Sequence, residues 1–155
     1  MKKRIIITII AASGFAIPAI ADDIQLAKES EAVVAETVKL LETNPQAVID
    51  SINTSDKKWF RGGGEVYPII NGIDGMSLAN AQNPKTVGKD VSAMIDMNGK
   101  ELVKERIELA KSKGKFWYEY TWRDPVSKKI LPKKTYCERA GKGGEYIVCS
   151  GYYKR

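Results

Sequence analysis

The sequence is richest in β-strand formers at Phe116-Trp117-Tyr118-Glu119-Tyr120-Thr121-Trp122. Aromatic and β-branched residues of this kind favour strands. Successive side chains of a strand point to opposite faces, so Phe116, Tyr118, Tyr120 and Trp122 share one face. The run therefore predicts a strand with one strongly aromatic side.

Two further strands are expected after this run. Asp124-Pro125 begins a turn, and Ile130 to Ala140 reads as the next strand. The glycine-rich stretch from Gly141 to Gly144 is a tight turn, and Tyr146 to Tyr153 reads as the closing strand. The last third of the chain is thus predicted to be three strands joined by short turns.

The two cysteines lie on these last two strands. If the loop spans Lys142–Gly144, counting back along the strands places Cys137 opposite Cys149. The Cβ atoms of such a pair lie about 4.5–5.5 Å apart, and a modest adjustment brings them within bonding range. We expect a disulfide; the alternative, a redox-active pair, lacks the closely spaced low-pKa cysteine that thiol exchange uses.

Helices are predicted upstream. From Asp22 or Asp23 as a cap to Thr43, apolar residues recur every seventh position, as one helix face requires. This helix packs on its own sheet or also pairs with a second copy. Asn44-Pro45 is a typical start for a second, short helix, and Gly62–Gly64 then breaks the chain.

The middle of the chain predicts a hairpin and a third helix. Strands at Val66–Ile70 and Met76–Asn80 flank a turn-rich cluster, although Pro68 suggests an edge or a bulge. A loop from Asn83 to Asp90 follows. A helix is expected over about Lys100–Lys113, capped by Asp96 or Asn98. Its inward residues would be Val103, Ile107 and Ala110, with Leu102 and Leu109 beside them. The element order indicates an α+β fold with helices packed against an antiparallel sheet.

The first 21 residues resemble a secretory signal peptide. Lys2, Lys3 and Arg4 precede an apolar run, and Ala19-Ile20-Ala21 is a small-x-small cleavage site. We expect cleavage after Ala21, leaving one domain over residues 22–155 in the periplasm or outside the cell. An uncleaved membrane anchor is the alternative, although the run is shorter than the ~20 residues of a spanning helix.

Composition excludes several functions. Without the three basic residues of the leader, 22 basic and 19 acidic residues remain, a net charge of about +3. That charge is mild and not gathered into a stripe, so nucleic-acid binding is not expected.

The chain contains no histidine. Neither a histidine-based triad nor a histidine metal cluster is therefore possible, and we expect no metal, no cofactor and no enzymatic activity. In the alternative, an enzyme, Glu119 or Glu138 would act as the acid or base.

Several short motifs resemble those of single Cache domains. The segment Trp117–Pro125 resembles the signature W-x-E-Y-x-W-x-x-P, and Pro132–Tyr136 resembles P-K-x-x-Y. Tyr146–Tyr153 is similar to the closing strand W-V-V-G-S-G-x-Y, and Asn83–Asp90 to the segment N-P-x-x-V-G-K. Each motif is weak alone, but their order and spacing cover nearly all of the chain after the leader.

This resemblance implies a PAS-like fold, with a long N-terminal helix along a five-stranded antiparallel sheet. It also implies an extracytoplasmic, sensory domain that binds small molecules, often short carboxylates. By the family pattern, the ligand-binding residues are Tyr120, Trp122, Pro125, Lys133 and Tyr136. Lys133 would supply the positive charge, and the aromatic residues would supply O–H and N–H donors on apolar bodies.

Some residues depart from the family pattern. Asn80-Ala81 replaces a frequent His-Pro, which puts the usual ligand in doubt. Strict alternation places Lys133 and Tyr136 on opposite faces, so both reach one pocket only if the strand bulges.

The sequence is compatible with two roles. The first is a periplasmic module, without its own transmitter, that binds a short organic acid. The second is an interaction protein with a collapsed pocket, whose first helix docks on a membrane sensor or transporter, or on a second copy.

Overall fold

The computed structural model describes residues 18–155, with side chains from Asp22 onward. Residues 1–17, most of the predicted leader, lie outside the described residues. The chain forms three α-helices and a five-stranded sheet within the described part. Their bounds are α1 Pro18–Thr43, α2 Pro45–Asn53, β1 Ile69–Gly72, β2 Ser77–Asn80, α3 Leu102–Lys113, β3 Lys115–Arg123, β4 Ile130–Ala140 and β5 Tyr146–Tyr153.

The sheet is antiparallel throughout, in the order β2-β1-β5-β4-β3. The last three strands form two successive hairpins, as the sequence predicts. β5 then pairs on its other side with β1, so the closing strand lies at the centre of the sheet. The α+β fold with a five-stranded antiparallel sheet is thereby confirmed.

The long helix α1 packs on one face of the sheet. Its buried residues include Val34, Thr37 and Leu41, each 1% exposed or less, whereas Ile24 and Leu40 are exposed. The helix already includes Pro18, so Asp22 and Asp23 lie inside it and do not cap its start. Pairing of α1 with a second copy remains a prediction.

Within residues 18–155, no helix combines the length and apolarity needed to cross a membrane.

The short helix α2 starts where the sequence predicts. The side chain of Asn44 accepts a hydrogen bond from the backbone N–H of Ala47, and Pro45 occupies the first turn. Strand β1 begins only after Pro68, because proline lacks the N–H that a ladder requires. Of the two expectations at this proline, the edge strand is wrong, because β1 is an interior strand. The alternative, a bulge, agrees with a shift in the register of β1 with β2 between Ile70 and Asn71.

Helix α3 lies against the other face of the sheet, opposite α1. Its cap position is Glu101, without a side-chain hydrogen bond, so the predicted cap by Asp96 or Asn98 is wrong. Asp96 instead accepts bonds from the N–H groups of Asn98 and Lys100 and, on β3, of Thr121. It thus fastens the loop before α3 to the edge strand of the sheet.

The predicted disulfide is present between Cys137 and Cys149. The two residues are directly opposed in the β4–β5 register, and both side chains are fully buried on the α3 face. The bond therefore joins the central strand to its neighbour inside the core.

Candidate functional site

A cavity of about 310 Å3 opens between α3 and the sheet face that carries the aromatic residues of β3. Residues of the sheet, of α3 and of three connecting segments surround it. The lining consists of Tyr67, Ile69, Asn71, Ser77, Asn80, Gln82, Asn83, Thr86, Val91, Met94, Leu102, Val103, Arg106, Tyr120, Trp122, Arg123, Pro125 and Lys128.

Strand alternation explains the sheet side of this lining. Tyr120 and Trp122 are two residues apart on β3 and point to the α3 face, with ring centroids 6.2 Å apart in an edge-on arrangement. Ile69 and Asn71 do the same on β1. The cavity is therefore built on a rigid, hydrogen-bonded wall, with α3 as the opposite wall.

Arg106 projects from α3 into this cavity although it is only 3% exposed. Its Nη1 donates a hydrogen bond to Oδ1 of Asn71 at 3.0 Å, and its guanidinium carbon lies 5.6 Å from the centroid of the Tyr120 ring. Its Nε is buried without a hydrogen-bond partner among the described residues. A buried donor left unpaired is costly, which makes it a natural contact for an acceptor that enters the cavity.

Lys133 is a second buried cation on the same side of the sheet, 1% exposed. Its Nζ donates to the hydroxyl of Tyr67 at 3.0 Å and lies 4.2 Å and 4.9 Å from the ring centroids of Tyr67 and Tyr153. Burial opposes its charge, but the oxygens of Tyr67 and Tyr120 outweigh that effect and raise the pKa of Lys133 above its ordinary value. Lys133 therefore stays charged behind the aromatic wall.

The positive charge of the site also acts on Tyr120. Burial opposes ionisation of this hydroxyl, but the charges of Lys133 and Arg106 outweigh burial and lower the pKa of Tyr120 from its ordinary value. The lining itself includes Arg106, Arg123 and Lys128 and, among the described residues, no Asp or Glu. The buried end of the cavity, where Arg106 and Lys133 lie, is thus electropositive.

The mouth of the cavity is formed by the turn between β3 and β4. Asp124 is fully buried and accepts hydrogen bonds from the N–H groups of Val126 and Ser127. Its carboxylate also forms an ion pair with Arg155 at 2.9 Å. Lys128 adopts a positive φ of 63° in this turn. Such a conformation is unfavourable for a non-glycine residue and persists where the surroundings fix it, as the Asp124 bonds do here.

The structure brings three of the five predicted ligand-binding residues into the lining: Tyr120, Trp122 and Pro125. Lys133 lies directly behind the lining, against Tyr67. Tyr136 does not reach the cavity, because β4 pairs with β3 and β5 without a bulge.

The prediction that Tyr136 shares this pocket does not match the structure. Its ring packs on the α1 face, 5.3 Å from the ring centroid of Trp117, and its hydroxyl donates to Glu138 at 2.9 Å. Burial and the Glu138 bond raise the pKa of Tyr136 to about 12.

Sequence reasoning missed Arg106, Tyr67 and Asn71. Arg106 follows Val103 by three residues and precedes Ala110 by four, so an arginine on the predicted inward stripe of α3 was a usable signal. No comparable signal marked the other two. Asn80, where the family often has histidine, does line the cavity, and its side chain accepts bonds from the N–H groups of Gln82 and Asn83.

The arrangement is suited to holding a small anion. A guanidinium offers two parallel donors to a carboxylate, and the neighbouring hydroxyl and amide groups add further hydrogen bonds on an otherwise apolar wall. In residues 22–155 no group of Asp, Glu or Cys is arranged to hold a metal ion.

The family model described as Cache domain matches residues 26–155, so the chain belongs to the Cache domain family. Cache domains are extracytoplasmic, sensory, ligand-binding domains. No curated protein sequence matches the chain.

Solved structures share this fold at low sequence identity. A periplasmic sensor domain of a chemotaxis protein is 20% identical, with a TM-score of 0.64 over 93% of this chain and 100% of that chain. A Cache chemosensory domain solved to explain carboxylic acid recognition is 22% identical, with a TM-score of 0.65 over 87% and 92%. A methyl-accepting chemotaxis protein from Vibrio parahaemolyticus RIMD 2210633 is 19% identical, with a TM-score of 0.65 over 88% and 96%.

Proposed function

We propose that this protein binds a short organic acid through its carboxylate, as a sensory module of the periplasm. The observation that carries the proposal is Arg106: a buried guanidinium with an unpaired Nε, in a cavity whose described lining contains no acidic residue. A carboxylate that enters supplies both the missing acceptor and the missing negative charge.

The cavity volume supports ligand binding over an interaction protein with a collapsed pocket. About 310 Å3 corresponds to roughly ten water volumes of ~30 Å3, which is more than a packing defect. One structural relative is a Cache chemosensory domain whose recognition of carboxylic acids has been described, which agrees with the chemistry of this lining. No catalytic role is part of the proposal.

The proposed location is the periplasm, after removal of residues 1–21. The buried disulfide between Cys137 and Cys149 supports this location, because disulfides persist in oxidising compartments. The mature domain would then comprise residues 22–155 and act by presenting its ligand-bound form to a membrane protein.

The test is a melting and calorimetry screen of the purified protein against acetate, propionate, lactate and pyruvate. A ligand at about 100 times its Kd adds ~2.7 kcal/mol, a rise of several degrees in Tm for a domain of this size. Acetamide and propionamide serve as controls, since they match the acids in shape without the charge. A concentration-dependent rise with an acid and none with its amide is expected; a flat response to organic acids of every chain length would overturn the proposal.

A further inference from the structure

We propose that two copies of this protein pair through the outer edge of β3, residues 115–119, and thereby join their sheets into one. This contact is separate from the cavity and from α1. β3 is an edge strand, because β4 is its one strand partner among the described residues. The sequence of the stretch, Lys-Phe-Trp-Tyr-Glu, combines strand-forming aromatic residues with a charge of opposite sign at each end.

The outer edge of β3 carries free backbone groups in this stretch. Thr121 shows which residues point outward: its N–H donates to Asp96 and its C=O accepts from the N–H of Met97, both in the loop before α3. Every second residue of a strand points its N–H and C=O the same way, so those of Trp117 and Glu119 also point outward. Neither of these two N–H groups has a hydrogen-bond partner within residues 18–155. Such an edge is a template for another strand.

The loop before α3 limits how far this free edge extends. It covers the edge from Thr121 onward, and Nζ of Lys100 donates to the C=O of Glu119 at 2.7 Å. A carbonyl oxygen can accept two hydrogen bonds, so this contact leaves room for the N–H of a partner strand. Helix α1 packs mainly on β4 and β5. A partner strand can therefore pair with residues 115–119 and not with the whole length of β3.

The charges of this stretch select a second copy of the chain as the partner. In an antiparallel pair with two-fold symmetry centred on Trp117, Lys115 of each copy lies opposite Glu119 of the other. The side chains of Lys115 and Glu119 share one face of the strand and are 69% and 50% exposed. Opposite charges directly across two strands stabilise the pair, and like charges destabilise it. A register shifted by two residues either way separates the two charges, so they also fix the alignment.

Both charged residues already have a partner in their own chain. Nζ of Lys115 lies 3.0 Å from the carboxylate of Glu138, and the carboxylate of Glu119 lies 3.2 Å from Nζ of Lys154. Ion pairs with exposed members are weak, so they do not prevent a second pairing. They also sharpen a charge-exchange test, because exchanging the charges at positions 115 and 119 spoils both pairs within the chain but keeps the pairs between the copies.

Sedimentation velocity over a concentration series measures the pairing in the purified protein. A small interface gives a weak dimer, with a Kd of roughly 10–100 µM, so the protein should pass from monomer to dimer as its concentration rises. In hydrogen exchange, the amides of Trp117 and Glu119 should become protected in the dimer. The amide of Thr121, already bonded to Asp96, should not change. A protein that stays monomeric at about 1 mM would overturn the proposal.

Charge reversal identifies the contact. Lys115→Glu and Glu119→Lys each place like charges at two symmetric positions, and each should weaken dimerisation by about tenfold or more. The double variant Lys115→Glu/Glu119→Lys restores opposite charges between the copies and should return the Kd to within about threefold of wild type. Lys129→Glu, which alters an exposed lysine in the turn after β3, is the matched control and should leave the Kd as it is. A double variant that dimerises as weakly as the single variants would contradict the proposed register.

A second control separates this contact from pairing through α1. Leu40 is 41% exposed on that helix, and Leu40→Glu should leave the dimer intact. A dimer that this variant dissociates, and that both single charge reversals leave unchanged, would overturn the proposal and assign the contact to α1.

Discussion

Arg106 on α3 donates a hydrogen bond from Nη1 to Oδ1 of Asn71 on β1, 3.0 Å away across the base of the cavity. The bond joins the two walls of the site and orients the guanidinium, since both residues are only 3% exposed. The bond uses Nη1, and Nε has no hydrogen-bond partner among the described residues. The arginine is therefore held in place and still has a donor for a ligand.

Replacing Arg106 by Gln should abolish tight binding of organic acids. Loss of one partner from a buried, charged hydrogen-bond pair costs about 2 kcal/mol or more, which corresponds to at least ~30-fold in Kd. Calorimetry measures the affinity, and Lys104→Gln is the control, because it removes an exposed cation from the same helix that pairs with Glu101 instead. Unaltered affinity in Arg106→Gln would remove this residue from the site.

Replacing Lys133 by Met should weaken acid binding without unfolding the protein. Two charges about 10–15 Å apart at an effective dielectric constant of about 20 interact by about 1–2 kcal/mol, which corresponds to about five- to thirtyfold in Kd. An apolar side chain of similar length should change the free energy of unfolding by less than ~1 kcal/mol, because it also removes a buried charge. Tyr136→Phe, on the opposite face, should leave the affinity as it is. A Kd that is equal in Lys133→Met and wild type would show that this lysine acts only in packing.

Removing the disulfide should destabilise the fold. The twelve-residue separation of Cys137 and Cys149 corresponds to about 3 kcal/mol of lost loop-closure entropy in the unfolded chain. Urea denaturation of the double variant to alanine should show this decrease, and a reductant should have no effect on that variant. A wild-type protein that unfolds at the same urea concentration with and without reductant would contradict the prediction.

A fall in pH should lower the free energy of unfolding, in part through protonation of Asp96. The bond from the N–H of Thr121 is the main reason that the pKa of Asp96 lies below its ordinary value. A lowered folded-state pKa gives stability that is present above about pH 4 and is lost as the pH falls through that folded value. Asp96→Asn should cost about 1–3 kcal/mol at neutral pH. Between pH 4 and pH 2, the free energy of unfolding of this variant should fall less than that of the wild type in denaturation experiments. If the two free energies fall in parallel with pH, Asp96 does not contribute to the acid sensitivity.

The local patterns of the sequence were enough to predict most of the fold. Alternation in Phe116–Trp122 identified the aromatic face of β3, and the turn Gly141–Gly144 fixed the register that opposes Cys137 and Cys149. Both features depend on neighbours in the chain, which a sequence displays directly. The helix caps were predicted less well: Asp22 and Asp23 lie inside α1, and Asp96 is bonded to a strand that is distant in sequence.

The candidate site was harder to predict, since its decisive contacts join distant segments. The bond between Arg106 and Asn71 spans 35 residues, and that between Lys133 and Tyr67 spans 66. The family pattern pointed to Lys133 as the ligand's cation, whereas the tertiary structure occupies its Nζ with Tyr67 and leaves Arg106 with the free donor. Periodicity alone placed Tyr136 correctly on the other face, against the family pattern.

The bond between Cys137 and Cys149 also limits how the site can move. Two strands in a ladder normally keep their alignment through hydrogen bonds alone, and a slip of even two residues would here require breaking a covalent link. Tyr120 and Asn71 are carried by the strands paired to either side of this cross-linked couple, so the sheet wall behaves as a single plate. We therefore expect any widening or narrowing of the cavity as a ligand enters to come from α3 and the loops that line it rather than from the sheet.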